Sequence, residues 1–386
     1  MDRRADPIAR IARFTIRDPQ DRARWMDLAL GLARRAEGAT SPNPPVGAVV
    51  VSGGRLVGWG YHRHAGTAHA EAEALRRAGA QARGATLYVT LEPCNHTGRT
   101  PPCCDAVLAS GIRRVVIGAR DPNPVTDGRG MARLRRHGVS VVTGVRQQEA
   151  KALIAPFRKA MTTGLPFTLA KAAQSLDGKI AAGGGDSRWI SSAAARRLGH
   201  EPRGRTDAIL VGIETVLADN PRLTARAGRR RAERPVKVIL DSRLRIPLSA
   251  RCLSKESPAP TLIATTVRRP AKAAALARRG ATVLILPARR GRVPLWTLFR
   301  ALAGSGLHSV LIEGGGETLA GALDERLVDR VAFFVAPLLI GGRAASSSVG
   351  GRGAARLSQA VRLADVRWNR VGPDLCVDAR VVYPRG

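Results

Sequence analysis

Aromatic residues are scarce in this chain of 386 residues, at 4% for Trp, Tyr and Phe together. Proteins that grip single-stranded nucleic acid interleave stacking rings with a basic groove, so nucleic acid is not expected as a partner despite a formal charge of +33. Lysine is scarce too, with seven among the 63 basic residues, so the charge is almost wholly arginine. The arginines are scattered, and runs such as Arg229 to Arg231 lie in loop-like segments. That pattern reads as arginine bias on solvated faces, with steering of a phosphorylated substrate as the functional alternative. No apolar run approaches the roughly 20 residues needed to span a bilayer, which argues against a membrane protein. Residues 1–21 lack the apolar core of a secretory signal, and Asp2 and Asp6 argue against a transit peptide, so a loose extension is expected. The five cysteines, three of them between 94 and 104, form an odd, clustered set rather than a disulfide framework, which points to a reducing cytoplasm.

What is present suits two domains, because a single core rarely grows past about 250 to 300 residues. Helical spacing over residues 22–35 is broken by Ser41-Pro42-Asn43-Pro44-Pro45. Strands are expected at 46–51, 56–60, 86–91, 115–118 and 139–142, with helices at 69–77, 105–110 and 131–137 between them. Alternation of this kind implies a sheet covered by helices, an α/β domain over residues 22–145. Residues 146–166 read as a helical connector. Apolar runs at 168–173, 208–211, 236–240, 262–265, 283–286, 310–312 and 331–335 then mark a second α/β domain over 167–386. Segments 225–234 and 344–355 are poor in apolar residues and are expected as mobile loops.

The chemistry concentrates between His69 and Cys104. One imidazole and two thiolates, from His69, Cys94 and Cys103, can hold zinc tetrahedrally with the fourth position open, and Glu71 lies two residues from the imidazole. That set equips a hydrolytic deaminase, with the carboxylate as proton shuttle. Residues two apart on a regular helix point to different sides, so His69 and Glu71 share a site only at a helix's first turn. Cys94 and Cys103 are expected to precede a helix starting near Asp105, where the positive helix end favours thiolates. Cys104 is a rival ligand, but Pro101-Pro102 stiffens the approach to Cys103 and turns the next residue elsewhere. Deaminases of nucleosides and nucleic acid commonly have two residues between the cysteines. Here there are eight, including His96, Thr97 and Arg99, a loop suited to a phosphate. Two other readings remain at this point: a deaminase of nucleic acid (tRNA) with an accessory domain, and a scaffold protein with a closed structural zinc site.

The motifs Asn43-Pro44-Pro45-Val46-Gly47, His69-Ala70-Glu71, Glu92-Pro93-Cys94, Gly98-Arg99-Thr100-Pro101-Pro102-Cys103 and Asp121-Pro122-Asn123-Pro124 resemble those of the bifunctional riboflavin biosynthesis proteins of the RibD family. Pro45 departs from the asparagine often found there. In the second half, Lys171 to Lys179, Trp189-Ile190-Ser191, Thr215 to Pro221, Asp241-Ser242 and Glu313-Gly314-Gly315-Gly316-Glu317-Thr318-Leu319 stand in the order of that family's reductase half. The resemblance implies a cytidine-deaminase-like three-layer domain followed by a dihydrofolate-reductase-like α/β domain. It implies one zinc per chain on His69, Cys94 and Cys103, Glu71 as the catalytic proton shuttle, and NADPH as the second cofactor. Substrate contacts are implied at Asn43, His62, His96, Arg99, Ser187, Arg203, Leu223, Arg226 and Glu313. Cofactor contacts are implied at Ala173, Trp189, Thr215, Asp219, Ser242, Gly315, Gly316, Glu317, Thr318 and Leu319. The implied partner is a phosphorylated pyrimidine, deaminated first and then reduced from ribosyl to ribityl, in a homo-oligomer.

Apart from the resemblance, the glycine-rich turn after a strand could cradle a phosphate on its amides. It is the resemblance that singles out Arg203 and Arg226, which make physical sense as phosphate partners because a guanidinium grips phosphate oxygens in a fork. Lys171 and Asp219 are the polar candidates to assist hydride transfer. Metal analysis of the purified chain should return one zinc per chain; none, or a redox metal at full occupancy, would contradict the reading.

Overall fold

The computed structural model describes residues 21–98, 101–225, 235–254 and 259–384. The chain divides into two compact units, Met1–Thr163 and Gly164–Gly386. Among the described residues no helix is long and apolar enough to cross a membrane.

The first unit is built on a five-stranded sheet of order β2-β1-β3-β4-β5. Strands β1 (Gly47–Ser52) and β2 (Arg55–Tyr61) form an antiparallel hairpin. β3 (Thr86–Leu91) runs antiparallel to β1 and parallel to β4 (Arg114–Ala119), which is parallel to β5 (Ser140–Thr143). Burial of nearly every residue in β1 and β4 shows that both faces are covered.

Three glycines explain how closely the covering helices approach. A Cβ on Gly47 would lie 2.0 Å from the Ala29 carbonyl oxygen of α1 (Arg22–Ala33). On Gly58 and Gly60 it would lie 2.2 and 2.4 Å from carbonyl oxygens of Ala74 and Ala70 in α2 (Ala70–Ala78). Gly58 pairs with Val50 and Gly60 with Ala48, whereas Gly47 occupies the alternate position of β1, so α1 and α2 lie on opposite faces. The result is the three-layer arrangement expected. Helices α3 (Cys103–Ala109), α4 (Arg129–Arg136), α5 (Gln147–Leu153) and α6 (Ala155–Thr163) complete the unit. Within residues 146–166, read as a helical connector, lie α5 and α6; Ala150, Leu153 and Ile154 are buried in the first unit's core.

The second unit carries a nine-stranded sheet of order β10-β9-β8-β7-β11-β6-β12-β14-β13. Its parallel part comprises β6 (Phe167–Ser175), β7 (Ala208–Gly212), β8 (Val236–Leu240), β9 (Thr261–Thr265), β10 (Ala281–Ile285), β11 (Ser309–Glu313) and β12 (Arg330–Ala336). Successive residues feed different cores. Leu210, Val238 and Ala264 join Phe299 and Leu302 on one side, while Ile209, Ile239 and Ile263 join Leu276 on the other. Helices α7 (Ala193–His200), α8 (Ile213–Asp219), α9 (Pro270–Arg278), α10 (Leu295–Gly304) and α11 (Gly316–Asp324) connect these strands.

The seven apolar runs all appear as strands, but two further strands follow them. β13 (Arg362–Val371) and β14 (Asp374–Val382) form an antiparallel hairpin about Gly372, whose φ is +64°. They were not expected because arginines interrupt them and β13 is exposed over nearly its whole length. The segment 344–355, expected to be mobile, lacks regular structure but is tied down: Ser348 N donates to Gly178 O, and Gly350 N to Gly316 O. The expected loop at 225–234 falls, from 226 on, outside the described residues, as does the N-terminal extension through residue 20.

Gly60→Val should be destabilised by roughly 1–3 kcal/mol, and, by pushing α2 off the sheet, should slow the first unit's chemistry. In contrast, Gly31→Ala, exposed inside α1 with open space around it, should gain about 0.5–1 kcal/mol. Thermal unfolding of the two variants checks both signs.

Candidate active site

His69 is the N-cap of α2, in extended geometry at φ −71°, ψ 162°. The helix begins one residue later, so Glu71 falls in its first turn with 4% of its surface exposed. This is the geometry that the two-residue spacing demands. β3 ends at Leu91 and delivers Cys94, while Cys103 is the first residue of α3, two positions earlier than the expected helix start.

Three elements thus bring three ligand atoms within 4.8 Å of one another. His69 Nδ1 lies 3.1 Å from Cys103 Sγ and 3.7 Å from Cys94 Sγ. A tetrahedral zinc with Zn–N near 2.0 Å and Zn–S near 2.3 Å needs ligand atoms about 3.5 Å apart, so the set fits the metal. The Cys103 amide also donates to Cys94 Sγ at 3.2 Å. Hydrogen bonds from Cys103 and His69 bring the Cys94 thiol down to about 4, against the opposing effect of burial. Cys103, hydrogen-bonded to that thiolate and buried, is pushed up. Burial lifts the Glu71 carboxyl to about 7, where it can both take and give a proton near neutral pH. Cys104 is buried and points its thiol at the carbonyls of Pro93 and Gly130, 3.6 and 3.7 Å away; burial raises it to about 12, and it is not among the grouped ligands.

His62 and Asn43 adjoin this centre. The His62 ring meets His69 edge-on with centroids 5.3 Å apart. Its Nδ1 faces the Ala68 carbonyl at 3.2 Å and its Nε2 meets Asn43 Nδ2 at 3.1 Å. A carbonyl only accepts, so Nδ1 carries the proton and Nε2 accepts from the amide. His96 Nδ1 lies 3.4 Å from Thr126 Oγ1. Arg99 lies outside the described residues.

Sequence reasoning missed Glu92. Buried to 2%, it accepts from the amides of Asp121 (3.2 Å), Gly128 (3.0 Å) and Met131 (3.1 Å). One carboxylate therefore clamps the 121–131 segment to the end of β3, beside Cys94. An acid directly before Pro-Cys at a strand end was the available signal. Arg133 adds a second tie, from α4 to Asn95 Oδ1 at 3.0 Å.

In the second unit a cleft of about 1210 Å³ is lined by every described residue expected to contact substrate or cofactor there, and by Lys171. Arg226 lies outside the described residues. Gly314 and Gly315 both have φ +80°, and added Cβ atoms would lie 3.5 and 3.6 Å from Thr215 Oγ1. A Cβ on Gly316 would meet the Ser347 carbonyl at 2.2 Å. The bare backbone and two threonine hydroxyls, from Thr215 and Thr318, leave a cradle at the start of α11 that fits a phosphorylated cofactor. Trp189 is 69% exposed, with the Arg196 guanidinium 4.3 Å above its ring. Ser187 Oγ donates to Asp219 Oδ1 at 3.4 Å. Leu223 is buried, with φ +52°.

Arg203, read as a phosphate partner, has its fork engaged within the protein. Its Nε lies 3.0 Å from both Glu313 carboxylate oxygens, Nη2 also bonds Oε2, and Nη1 donates to the Thr224 carbonyl at 2.9 Å. Burial alone would raise the Glu313 carboxyl; Arg203, Lys171 and His200 together hold it below the usual range.

Comparison with known families agrees with both halves. The profile for the cytidine and deoxycytidylate deaminase zinc-binding region matches residues 19–119, and that for the RibD C-terminal domain matches 166–377. The chain is 42% identical to the riboflavin biosynthesis protein RibD of Aquifex aeolicus over 353 residues, covering 92% of this chain and 96% of that one. With the Escherichia coli RibD it shares 40% identity over 371 residues, 92% and 97% of the two chains. The solved Acinetobacter baumannii RibD superposes with a TM-score of 0.84 at 36% identity, over 95% of this chain and 100% of that one. A diaminohydroxyphosphoribosylaminopyrimidine deaminase/5-amino-6-(5-phosphoribosylamino)uracil reductase from Thermotoga maritima does so at 0.80 and 35%, over 94% and 99%. The chain belongs to the RibD family, and is a zinc-dependent deaminase and NADPH-dependent reductase of riboflavin biosynthesis.

Proposed function

We propose that His69, Cys94 and Cys103 hold the zinc and that Glu71 is the proton shuttle of the deaminase, within residues 22–145. The observation that carries this reading is the triangle of ligand atoms closed within 4.8 Å beside a buried carboxyl at about 7. When bound, zinc supplies a coordinated water acidified towards neutrality. Glu71 takes the two protons of water in turn at its carboxylate, returning the first to the ring nitrogen as the oxygen adds to carbon and the second to the departing amine as the C–N bond breaks, so that water and the aminopyrimidine become the oxo-pyrimidine and ammonia. Asn43 and His62 border the ring; His96 and Arg99 serve its phosphoribosyl arm. Glu92 acts as a positioning residue that keeps the 121–131 segment against Cys94.

For the reductase, within residues 167–386, the glycine cradle at 314–316 and the hydroxyls of Thr215, Thr318 and Ser242 hold the dinucleotide, with Ala173, Trp189, Asp219, Glu317 and Leu319 along its length. NADPH supplies the hydride that converts ribosyl to ribityl. Ser187, Leu223 and Glu313 face the substrate, Arg226 serves its phosphate, and Arg203 keeps Glu313 charged and aimed. Lys171, in the same cleft, is placed to give the proton that the new hydroxyl needs.

The chain is further proposed to act in the cytoplasm as a homo-oligomer. All five thiols are free, which suits a reducing compartment. β13 leaves a long sheet edge open with Leu363, Val366 and Trp368 exposed, the kind of edge a second copy covers. Sedimentation of the intact chain should show an assembly that Trp368→Arg weakens; a monomer at micromolar concentration would contradict it, and cell fractionation tests the compartment.

Glu71→Gln, which keeps shape and removes the titrating oxygen, should lower ammonia release by about 10²–10⁴-fold. Zinc content should stay unchanged, as should NADPH oxidation on already deaminated substrate. Deamination at the wild-type rate in that variant would remove Glu71 from the mechanism.

A further inference from the structure

Arg289, Arg290 and Arg292 line the reductase cleft, on a turn that follows β10. The turn is tightly built. Arg289 N donates to Arg292 O at 3.0 Å and Arg292 N to Arg289 O at 3.1 Å, closing a two-residue hairpin. Its central residues, Arg290 and Gly291, have φ +52° and +72°. This geometry favours Asn-Gly, and an arginine in the left-handed region is disfavoured unless its side chain is needed there.

The hairpin is anchored towards the cofactor cradle at two points. Val293 N donates to Ser242 Oγ at 3.1 Å, and Arg292 Nη1 lies 3.3 Å from Glu317 Oε2. The other Glu317 oxygen accepts from Gly351 N at 3.0 Å, so Arg292 is pinned. Arg289 and Arg290 are exposed on the cleft, and neither has an ion pair among the described residues.

Position along the sheet decides which phosphate they meet. In the order β8-β7-β11-β6, Lys171 stands on β6 and Glu313, with Arg203, at the end of β11. The arginine hairpin is tied to Ser242 beyond β8, at the opposite end of the row. A dinucleotide whose pyrophosphate rests on the glycine cradle, with its nicotinamide towards β6, sends its adenosine towards β8. We infer that Arg289 and Arg290 bind the 2′-phosphate of the dinucleotide and so select NADPH over NADH. The inference rests on the cofactor reading above and adds to it the residues that set its specificity. Two guanidiniums converging on a phosphate dianion give charge-assisted, forked hydrogen bonds that a 2′-hydroxyl cannot replace.

Direct binding to the full chain tests this, by calorimetric titration with NADPH, NADH, 2′,5′-ADP and 5′-AMP. Wild-type protein should bind 2′,5′-ADP about tenfold or more tighter than 5′-AMP. In the double variant Arg289→Ala/Arg290→Ala that preference should vanish and the NADPH affinity should fall to that for NADH. Affinity for NADH and the melting temperature should hold, since both side chains are exposed. Survival of the preference for 2′,5′-ADP, or an equal loss for both dinucleotides, would overturn the inference while leaving the cofactor cleft in place. An effect confined to the KM of the pyrimidine substrate would also overturn it, by moving the pair to the substrate phosphate. Wild-type protein that binds neither dinucleotide would instead remove the cofactor reading beneath it.

Discussion

Closing one imidazole and two thiols within 4.8 Å requires three separate elements to stop at the right place. α2 must begin one residue after His69, β3 must end just before Glu92-Pro93-Cys94, and α3 must begin at Cys103. Each endpoint has its own cause. The seating of α2 depends on Gly58 and Gly60, whose missing side chains let the helix backbone rest on β2. β3 is paired on both sides, to β1 and β4, so its end is a rigid point. The segment beyond it is secured by Glu92, whose carboxylate gathers three amides that would otherwise lack partners in the interior. With that frame rigid, burial, aided by the nearby Cys94, outweighs the opposing charge of His69 and lifts the Glu71 carboxyl to about 7.

The second unit solves a different problem, with an open cleft in place of a small closed triangle. Its strand order places β11 between β6 and β7, and chain connections depart in opposite directions from that point, where open α/β sheets leave a crevice for a cofactor. Glycines at 314–316 empty the crevice floor, and the Arg203–Glu313 pair sets one end of it. That pair shows why a buried ion pair is better regarded as an orienting device than as a stabilising one: desolvation offsets much of the attraction, while the fork geometry fixes both side chains.

Much of this was legible in the sequence, for stated physical reasons. The His69–Glu71 spacing admits only a helix start, and a helix start is what is there. The Pro101-Pro102 approach to Cys103 set Cys104 aside as a ligand, and Cys104 lies outside the triangle of ligand atoms, though α3 begins two residues earlier than expected. Apolar runs of three to six residues revealed the parallel strands because the central ones, β7, β8, β9 and β11, are buried on both faces. β13 escaped because an exposed strand carries arginines where a buried strand carries valines, and β14, though mostly buried, because Asp378 and Arg380 interrupt its apolar residues. Arg203 was assigned to a phosphate through the resemblance, and its partner was not legible because Glu313 lies 110 residues away in sequence. Glu92 was passed over for the same reason, since the amides it gathers come from a segment that only folding brings near.

The central claim is an N/S/S zinc centre with one open position and Glu71 outside it. X-ray absorption at the zinc edge of the intact protein tests this directly. Two sulfur neighbours are expected near 2.3 Å and two lighter atoms near 2.0 Å. One of the lighter atoms is His69 nitrogen and the other a solvent oxygen, with the spectrum unchanged in Glu71→Gln. A third sulfur, recruited from Cys104, would contradict it, as would a spectrum that loses a light ligand when Glu71 is replaced.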